Sequence, residues 1–565
     1  MSGAPDRALE QRTVRRMGER SLLVECADLP AVMRLHARLT AEPLPHQRTA
    51  IAGAATVLVR FATAHDARAA IDELSHLLAP ELAPTTAREA TLDVVYDGED
   101  LADVAAQTGL SVDAVIRAHT EAIYRGAFGG FAPGFVYCAA DVTPFTVSRR
   151  EHPRTAVPAG AVAVAGEFSA VYPRRSPGGW QLLGHTEAAL WDVHREDPAL
   201  LHPGDIVRYR AVRAQAHVTR GPAASAPLSV PDDGAPASGT ASDATSGGLT
   251  STTPALEVLS PGVQSLLQDA GRPGWADLGV GSSGAADTVA ARAANQAVGN
   301  DPSEAVIETL LAGLRLRAQG EQVLALAGPG ASGIVEDTGQ TVTAETAFTL
   351  DDGATLRVES TGAGVRSYVA LRGGLDATPV LGSRSHDVLS GLGPPPLSAG
   401  TWLSRRRDPG FRPVGAVDAL GTARPEASRD TPGSAEQTAP DGVVHLRVLR
   451  GPRDDWFTEA SWAAFTGQAW TVSPEANRVG VRLSGASHGQ RLERRDAAEL
   501  PSEAMVLGAV QVPPSGDPVV FLADHPVTGG YPVIAVVAER DVRQLAQAAP
   551  GTQVRFVSAE DGERR

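Results

Sequence analysis

One short phrase occurs twice in this chain, and the repeat constrains the fold more than any other feature of the sequence. Residues 528–532 read Thr-Gly-Gly-Tyr-Pro, and residues 176–180 read Ser-Pro-Gly-Gly-Trp. Each phrase leads into a β-rich run and then into a second shared phrase, at 203–209 and again at 550–556. Glycine pairs accept positive φ and allow close backbone approach, while the aromatic residue anchors the turn on the core. The sequence therefore predicts two related β modules in tandem.

The composition is that of a globular protein with several hydrophobic cores. The chain has 565 residues, 43% of them hydrophobic, and this length suggests about four domains. It contains no apolar run of roughly 18 residues, and its first residues lack the apolar core of a signal peptide. Cys26 and Cys138 have neither disulfide nor zinc-site spacing, which suits a reducing compartment. We therefore expect no membrane span and a location in the cytoplasm.

Charge and the choice of basic residue exclude several kinds of site. The net charge of −16 opposes a general nucleic-acid surface, which needs clustered positive charge. The sequence contains no lysine, so all 50 basic residues are arginine. A P-loop lysine, a pyridoxal phosphate Schiff base and an attached biotin are thereby excluded within this chain. Any phosphate would be held by arginine, by backbone amides or by a metal ion.

Hydrophobic periodicity and two polar, low-complexity stretches divide the chain into modules. Strands and helices alternate at the start, and β-rich segments dominate the rest. The predicted units are a small α+β module at 11–98, a β-rich module at 99–215, a flexible linker at 216–254, the first part of the second half at 255–411, a disordered insertion at 412–441 and a second β-rich module at 442–560. In the small α+β module we predict strands over 21–25, 56–61 and 91–96 and helices over 29–39 and 67–78.

Residues 103–117 contain two short predicted helices around a glycine turn, a pattern typical of a helix-turn-helix. Acidic residues in and around this segment outnumber its two arginines, Arg117 and Arg125. DNA binding is therefore disfavoured, and we expect these helices to pack against the rest of the module.

Arginine-rich and glycine-rich phrases supply candidate ligand contacts. Residues 149–154 carry three arginines before a buried strand, where they suit either a carboxylate or phosphate ligand or a solvated edge. Residues 279–284 and 328–333 both match G-x-G-x-x-G, but neither lies in a βαβ unit, so a dinucleotide site is disfavoured. A helix predicted to begin at Asp287 follows the first match, which favours a phosphate or oxyanion nest there.

Two further features concern packing and proton transfer. The helix after Asp287 has a face of alanines together with Val289 and Val298, and such a face requires very close packing. His525 stands beside Asp524 as a candidate acid/base pair. Neighbours in a strand point to opposite faces, so at most one of the two faces any given cleft.

Several longer phrases, in a fixed order, resemble one bacterial family. The first half is similar to the B subunit of ATP-dependent 5-oxoprolinase, also described as allophanate hydrolase subunit 1, in the phrases at 130–137 (Gly-Phe-Ala-Pro-Gly-Phe-Val-Tyr), 157–160, 172–173 and 176–180. The second half is similar to the C subunit of that enzyme, or allophanate hydrolase subunit 2, in the phrases at 268–272 (Gln-Asp-Ala-Gly-Arg), 284–287, 294–295, 299–300, 382–385, 511–514 and 528–532. The resemblance covers nearly everything except the predicted linkers.

This resemblance implies a mixed α+β, β-rich fold of two tandem halves, each containing a cyclophilin-like β barrel, at 99–215 and 442–560. It implies a component of an ATP-dependent 5-oxoprolinase, which activates 5-oxo-L-proline by phosphorylation of the lactam oxygen for hydrolytic ring opening to L-glutamate. ATP with Mg²⁺ and a separate 5-oxoprolinase A subunit are then required. The B-like and C-like halves are expected to pair within the chain, and assembly into homo-oligomers stays open.

The site expected for this reaction combines arginine, carboxylate and glycine-loop amides, because phosphoryl oxygens and a substrate carboxylate must both be held. The residues predicted to act in catalysis are Asp269, Arg272, Asp287, Arg478 and His525. The residues predicted to bind substrate or phosphate are Arg154, Gly178, Gly179, Gly281, Gly284, Arg384, Gln511, Thr528, Gly529, Gly530 and Tyr531. No residue is assigned as a metal ligand.

Two other functions stay open. The homologous pair of halves forms the carboxyltransferase domain of urea carboxylase, so the chain is alternatively a biotin-dependent carboxyltransferase module. The biotin would then be carried by another chain, since this one has no lysine. The same family also implies a non-catalytic inhibitor of a sensor histidine kinase, although nothing in the sequence specifies a kinase-binding surface.

Overall fold

The computed structural model describes residues 12–78, 88–213, 253–406, 442–485, 489–495 and 498–559. It is a β-rich α+β structure in two halves, which confirms the predicted fold class. The predicted linker at 216–254 and the predicted insertion at 412–441 lie almost wholly outside the described residues. Within the described ranges, no helix has the length and apolar character that a membrane span requires.

The first half begins with a small antiparallel sheet covered by two helices. Its elements are β1 (Val14–Arg16), β2 (Ser21–Glu25), α1 (Leu29–Ala41), β3 (Gln47–Ala52), β4 (Thr56–Phe61) and α2 (Ala64–His76), with strand order β1-β2-β4-β3. Asp28 caps α1 by accepting from Ala31 N, and Thr63 forms a capping box with Asp66 at the start of α2. Apolar residues from the sheet and both helices form a core that continues into the next module.

A seven-stranded sheet with two helices follows. Its elements are β5 (Glu89–Val94), α3 (Leu101–Thr108), α4 (Val112–Glu121), β6 (Tyr124–Gly129), β7 (Val136–Ala140), β8 (Arg154–Val157), β9 (Ala161–Ala165), β10 (Phe168–Val171), β11 (Ser176–Gly178), β12 (Gln181–His185) and β13 (Ile206–Ala211). The sheet order is β12-β9-β10-β7-β6-β13-β5, and β8 pairs separately with β11. A bridge between Val95 and His185 joins the ends of β5 and β12, so we call this module the first barrel.

The structure differs from the predicted boundary at β5. The strand was predicted to belong to the small α+β module, but it pairs in parallel with β13 along its whole length. The helices predicted at 103–117 are α3 and α4, and their Val104 and Val115 are fully buried beside Leu183 of β12. These two helices therefore pack on the first barrel, as expected.

The second half begins with two packed sheets. Its elements are β14 (Thr253–Pro261), β15 (Gln264–Gln268), a 3₁₀ turn (Ala276–Leu278), α5 (Thr288–Ala297), β16 (Val306–Leu310), β17 (Leu314–Ala318), β18 (Gln322–Ala327), β19 (Ala331–Val335), β20 (Gln340–Thr343), β21 (Ala347–Leu350), β22 (Thr355–Ser360), β23 (Arg366–Leu371), β24 (Leu375–Asp376) and β25 (Trp402–Arg405). The sheet orders are β20-β19-β22-β17-β14-β25-β24 and β15-β16-β23-β18-β21, with one hydrophobic core.

Helix α5 begins where the sequence predicts and packs closely through alanine. Asp287 caps it by accepting from Ala290 N at 3.1 Å. Ala290 and Ala294 lie against small residues of β18 and β23. Val289, predicted on the same face, is instead 49% exposed, since it precedes Ala290 by one residue and points away from the sheet.

The chain ends in a closed barrel. Its elements are β26 (Val444–Arg450), a 3₁₀ turn (Asp454–Trp456), α6 (Glu459–Gly467), β27 (Trp470–Val472), β28 (Gly480–Gly485), β29 (Glu503–Ala504), β30 (Ala509–Gln511), β31 (Val519–Phe521), β32 (Thr528–Gly529), β33 (Val533–Val537), α7 (Glu539–Ala546) and β34 (Gln553–Ser558). The strand order around this second barrel is β26-β33-β30-β31-β28-β27-β34, and β29 pairs separately with β32.

The two barrels have the same topology, strand for strand. Beginning at β33, the second barrel runs β33-β30-β31-β28-β27-β34-β26, and β12-β9-β10-β7-β6-β13-β5 is the same order. Each barrel also carries one two-stranded ladder that holds a Gly-Gly phrase: Gly178 lies opposite Arg154, and Gly529 lies opposite Glu503. The predicted relation between the two β modules is confirmed.

Candidate binding site between the two halves

Glycine loops from the two halves interlock. Gly134 N donates to Leu278 O at 2.9 Å, and Phe131 N donates to Thr528 Oγ1 at 3.2 Å. Gly279 has φ 74°, and a Cβ there would lie 2.2 Å from Ala132 O, so only glycine allows this approach. We call this contact, formed by residues 130–134, 277–279 and Thr528, the glycine seam.

Both repeated Gly-Gly phrases reach the glycine seam. Thr528 belongs to the second phrase directly, while a Cβ on Gly178 would lie 2.2 Å from Tyr172 Oη, and the Tyr172 ring lies 6.2 Å from that of Phe131. The glycines at 178, 179, 529 and 530 all lie outside the left-handed region, so neither phrase uses the positive φ that glycine accepts. A Cβ would lie 2.2 Å from its nearest neighbour at position 178 and 2.6 Å at position 529, so there the absent side chain allows close packing, whereas at 179 and 530 the nearest atom would lie 3.6 Å away.

Tyr137 lies beside the glycine seam and was not predicted as a site residue. Burial raises the pKa of its phenol, and its hydroxyl interacts with the side chains of Ser502 and Thr528 in the other half. Its signal in the sequence is the run of glycine and aromatic residues at 129–137, which entered the prediction only through the family resemblance. The phenol is therefore a neutral hydrogen-bonding group at the seam.

The small α+β module also contacts the second barrel. Ala54 N donates to Ser502 O at 2.7 Å, and Arg453 Nη1 contacts Glu25 Oε1 at 2.5 Å. His36 Nε2 lies 3.0 Å from Asp277 Oδ1. The two halves are thus docked through both modules of the first half.

Arg478, predicted to act in catalysis, is a buried internal clamp. Its Nε donates to Asp524 Oδ2 at 2.9 Å, its Nη1 to Glu308 Oε1 at 2.5 Å and its Nη2 to Gly284 O at 2.5 Å. Burial lowers the pKa of this guanidinium, but Glu308 and Asp524 raise it by more. Because all three nitrogens already bind protein oxygens, Arg478 positions the loop at Gly284 and does not reach a ligand in this conformation.

Asp287 belongs to the same polar network. One carboxylate oxygen caps α5, and the other accepts from Gln547 Nε2 at 2.9 Å. Its backbone N donates to Tyr368 Oη at 2.8 Å, and that hydroxyl donates to Glu308 Oε2 at 3.0 Å. The chain of contacts thus connects Asp287 to Arg478 through protein groups only.

Asp269 is fully engaged in bracing a neighbouring turn. Its carboxylate accepts from Ser383 Oγ and Ser385 Oγ, both at 2.6 Å, and from Arg384 N at 2.6 Å. Arg272 is 1% exposed and donates to the carbonyl of Ser385, and burial lowers its pKa. Two nitrogens here, Arg272 Nη1 and Arg384 Nε, are buried without a partner in the described parts of the chain.

The remaining predicted contacts are dispersed. Arg154 Nη2 binds Asp100 Oδ1 at 2.7 Å within the first barrel. Gln511 Nε2 donates to Tyr531 O at 3.0 Å, and the Tyr531 side chain is 44% exposed. An ideal Cβ on Gly530 would lie 3.9 Å from Arg149 Nη1 of the first half. The structure therefore groups Gly178 and residues 528–530 near the seam, and leaves Arg154 in its own ion pair.

A cavity of ≈ 310 Å³ opens between the two halves. Its wall comes from β3 and β4 of the small α+β module, from residues 273–282 and from residues 505–527. Of the predicted site residues, it brings together Gly281 and His525. Three arginines also line the cavity: Arg20, Arg48 and Arg60. Among the described residues, no acidic residue lines it. We call this space the arginine cavity.

The cavity arginines were not predicted. They lie in the first half, in a module where the sequence shows no cluster typical of a catalytic site, and they meet Gly281 and His525 only because the halves dock. Their one sequence signal is their position: Arg48 and Arg60 lie on neighbouring strands β3 and β4.

His525 faces this cavity as a neutral side chain. Burial lowers the pKa of the imidazole, and the nearby Arg60 lowers it further. Its Nδ1 lies 2.8 Å from Pro526 O, which can only accept, so Nδ1 carries the proton. The other nitrogen, Nε2, is then an acceptor.

No group of three or more His, Cys, Asp or Glu side chains suited to a metal ion occurs among the described residues. Mg²⁺ keeps several waters and commonly binds through substrate phosphates with one or two carboxylates. The described residues thus offer no preformed cage of such side chains.

Two family models match the chain. Residues 12–201 match the carboxyltransferase domain, subdomains C and D, and residues 278–558 match the carboxyltransferase domain, subdomains A and B. The matched ranges contain the second barrel, the first barrel except β13, nearly all of the glycine seam and most of the arginine cavity.

Named relatives match each half separately. The 5-oxoprolinase C subunit of Escherichia coli strain K12 is 33% identical over 305 residues, which cover 54% of this chain and 90% of that protein. The 5-oxoprolinase B subunit of Escherichia coli O157:H7 is 44% identical over 140 residues, covering 24% of this chain and 62% of that protein. Urea amidolyase of Lachancea kluyveri is 32% identical over 328 residues, covering 54% of this chain but only 17% of the relative.

A solved structure matches both halves together. The crystal structure of TTHA0988 is 33% identical and superposes with a TM-score of 0.76, covering 97% of this chain and 100% of the other. Both halves and their order are therefore shared with a protein of known structure. This chain belongs to the carboxyltransferase-domain family that includes the B and C subunits of 5-oxoprolinase, and it is a fusion of the two.

Proposed function

We propose that this chain is the fused B and C component of an ATP-dependent 5-oxoprolinase. The observation that carries the proposal is that its halves are similar to proteins named as the B and C subunits of 5-oxoprolinase, and are docked through the glycine seam. In a fused chain the partner half is always present at high effective concentration, which favours a site built from both halves.

The chemistry to be supplied is the opening of a stable five-membered lactam. In the proposed reaction the γ-phosphoryl group of ATP moves to the lactam oxygen and ADP leaves. Water then adds to the activated carbon, and the C–N bond breaks as the nitrogen takes a proton, which gives an acyl phosphate of glutamate. A second water displaces the phosphate and gives glutamate. Positive groups near the phosphoryl oxygens and the substrate carboxylate would stabilise these steps.

In this proposal the predicted residues divide into two roles. Asp269 and Arg478 are positioning residues for the loop at 271–284, since they bind Gly271 N and Gly284 O, and Asp287 positions the start of α5 by capping it. Groups that line the arginine cavity contact the substrate. The proposed reaction also requires ATP, Mg²⁺ and a separate 5-oxoprolinase A subunit.

A second function has its own supporting observation. Both family models are described as carboxyltransferase subdomains, and 54% of the chain aligns with urea amidolyase. As a biotin-dependent carboxyltransferase, the chain would accept a carboxyl group from carboxybiotin borne by another protein, because it has no lysine of its own.

One reaction series separates the two functions. The purified chain is incubated with a separately purified 5-oxoprolinase A subunit, 5-oxoproline and ATP, and glutamate and ADP are measured together. The 5-oxoprolinase proposal expects equal amounts of both products, and none when either protein or ATP is omitted. Carboxyl transfer from carboxybiotin to urea, with no glutamate formed under the first conditions, would contradict it and support the second function.

A further inference from the structure

We propose that the arginine cavity is a binding site for a small organic carboxylate, and that both halves of the chain contribute to it. The cavity volume of ≈ 310 Å³ lies at the lower end of the range for small-molecule sites. A ligand there would contact β3 and β4 on one side and residues 280–282 and 525–527 on the other.

The charge of the wall points to an anion. Arg20, Arg48 and Arg60 all line the cavity, although the chain as a whole carries a net charge of −16. Arg20 Nε is buried with no hydrogen-bond partner among the described residues, and such a donor costs free energy unless a ligand or water accepts from it. Arginine forks match carboxylate oxygens well.

One carboxylate of the protein already competes for this charge. Glu539, at the start of α7, contacts Arg20 Nη2 and lies 3.6 Å from Arg60 Nη2, yet it is not part of the cavity wall. Arg48 is exposed and forms no ion pair with any described carboxylate. Arg48 is therefore the arginine most available to a ligand, and Glu539 reduces the attraction of the other two.

The rest of the wall selects the body of the ligand. Apolar side chains, among them Ile51, Leu58, Val280 and Val527, cover much of the surface and favour a hydrocarbon portion over a bare inorganic ion. His525 Nε2 is an acceptor on a neutral ring, so it suits an N–H donor. If the proposed function holds, 5-oxoproline has the required groups: a carboxylate, an apolar ring and a lactam N–H.

The test uses the full chain, without the A subunit or ATP, in titration calorimetry with 5-oxoproline and, separately, with inorganic phosphate. We expect one 5-oxoproline per chain, bound at least about tenfold more tightly than phosphate because the apolar wall contributes only to the organic ligand. Arg48→Ala should weaken 5-oxoproline binding by about tenfold or more. Glu539→Gln, which removes the competing charge, should tighten it by about two- to fivefold.

The matched control is Arg68→Ala, an exposed arginine on α2 of the same module that does not line the cavity. It should bind as the unaltered chain does, and equal thermal midpoints of all variants would show that they are folded. Absence of 5-oxoproline binding, or equal binding by Arg48→Ala and Arg68→Ala, would overturn the inference. Phosphate binding as tight as 5-oxoproline would overturn the assignment to an organic ligand. Ring opening is measured separately, so intact binding without turnover would count against the proposed function alone.

Discussion

The two barrels hold equivalent corners together with ion pairs of reversed polarity. In the first barrel Gly98 N donates to Leu183 O and is followed by Asp100, whose carboxylate accepts from Arg154 of β8 at 2.7 Å. In the second barrel Gly451 N donates to Ile534 O and is followed by Arg453, which donates to Glu503 of β29 at 3.0 Å. The two corners share the same backbone hydrogen bond, but the acidic and the basic residue of the ion pair have exchanged positions.

Both corners thus contain a buried ion pair, and either polarity fits the same backbone. Burial raises the pKa of Asp100, but Arg154, the Leu182 amide and Arg150 together hold it below its usual value. Burial likewise raises the pKa of Glu503, and there Arg453 does not fully offset the rise. Asp100 pairs with two arginines, Arg150 and Arg154, whereas among the described residues Glu503 pairs with Arg453 alone, which it shares with Glu25 of the first half.

Removal of the arginine should destabilise the second corner far more than the first. Arg453→Met would leave Glu503, which is 2% exposed, without its cation and should cost about 3–5 kcal/mol of unfolding free energy. Arg154→Met leaves Asp100 with Arg150 and should cost about 1 kcal/mol. Urea titrations at about pH 7.5, roughly one unit above the ordinary histidine pKa, measure the unfolding free energies of both variants. Equal costs would show that the two corners are equivalent in energy as well as in backbone.

The next comparison concerns the two glycine corners. In Gly178→Ala the new Cβ would lie 2.2 Å from Tyr172 Oη and 2.8 Å from Cζ of that packed ring, so we expect a cost of about 1–3 kcal/mol. In Gly529→Ala the nearest atom is Gln511 Nε2 at 2.6 Å, the end of a longer side chain that can move. Its expected cost is below about 1 kcal/mol. Thermal unfolding of both variants measures the order, and a larger loss for Gly529→Ala would contradict the packing argument.

The docking between the halves should show a weak dependence on pH. Burial lowers the pKa of His36, but its hydrogen bond and charge interaction with Asp277 raise it to a net value above the usual one. The stabilisation is therefore fully present below about pH 6.5, the unfolded value, and is lost as pH rises through the raised folded pKa. We expect a change of at most about 1 kcal/mol, seen as a falling thermal midpoint on the alkaline side.

Asp277→Asn is the matched variant for this pH dependence, because it keeps the size of the side chain and removes the charge. Its thermal midpoint should not show the fall with rising pH that the unaltered chain shows across that pH range. An identical pH profile in both proteins would mean that His36 and Asp277 do not couple the halves.

The sequence predicts the repeated architecture well, because the signals are local. The echoed glycine phrases, the capped helix at Asp287 and the alternating strands all depend on neighbouring residues. β5 was misplaced because its partner, β13, lies more than a hundred residues away in the chain, as the pairing of Glu89 with Ile206 shows. Its own residues do not specify which sheet it joins.

The site was less predictable for the same reason. Arg478 reads as an available cation, but its partners Glu308 and Asp524 are distant in sequence, and only the folded chain shows that its donors are occupied. Arg48 and Arg60 meet His525 only after the halves dock. A glycine-rich motif reveals where backbones approach closely, while the charge facing a shared cavity depends on tertiary contacts.

The most direct test of a site shared between the halves is a crystal structure of the full chain with 5-oxoproline. We predict that its carboxylate lies between Arg48 and Arg60 and that its lactam N–H faces His525, so that one ligand contacts both halves. A ligand held entirely within either barrel, or an arginine cavity that stays empty at saturating 5-oxoproline, would contradict this account.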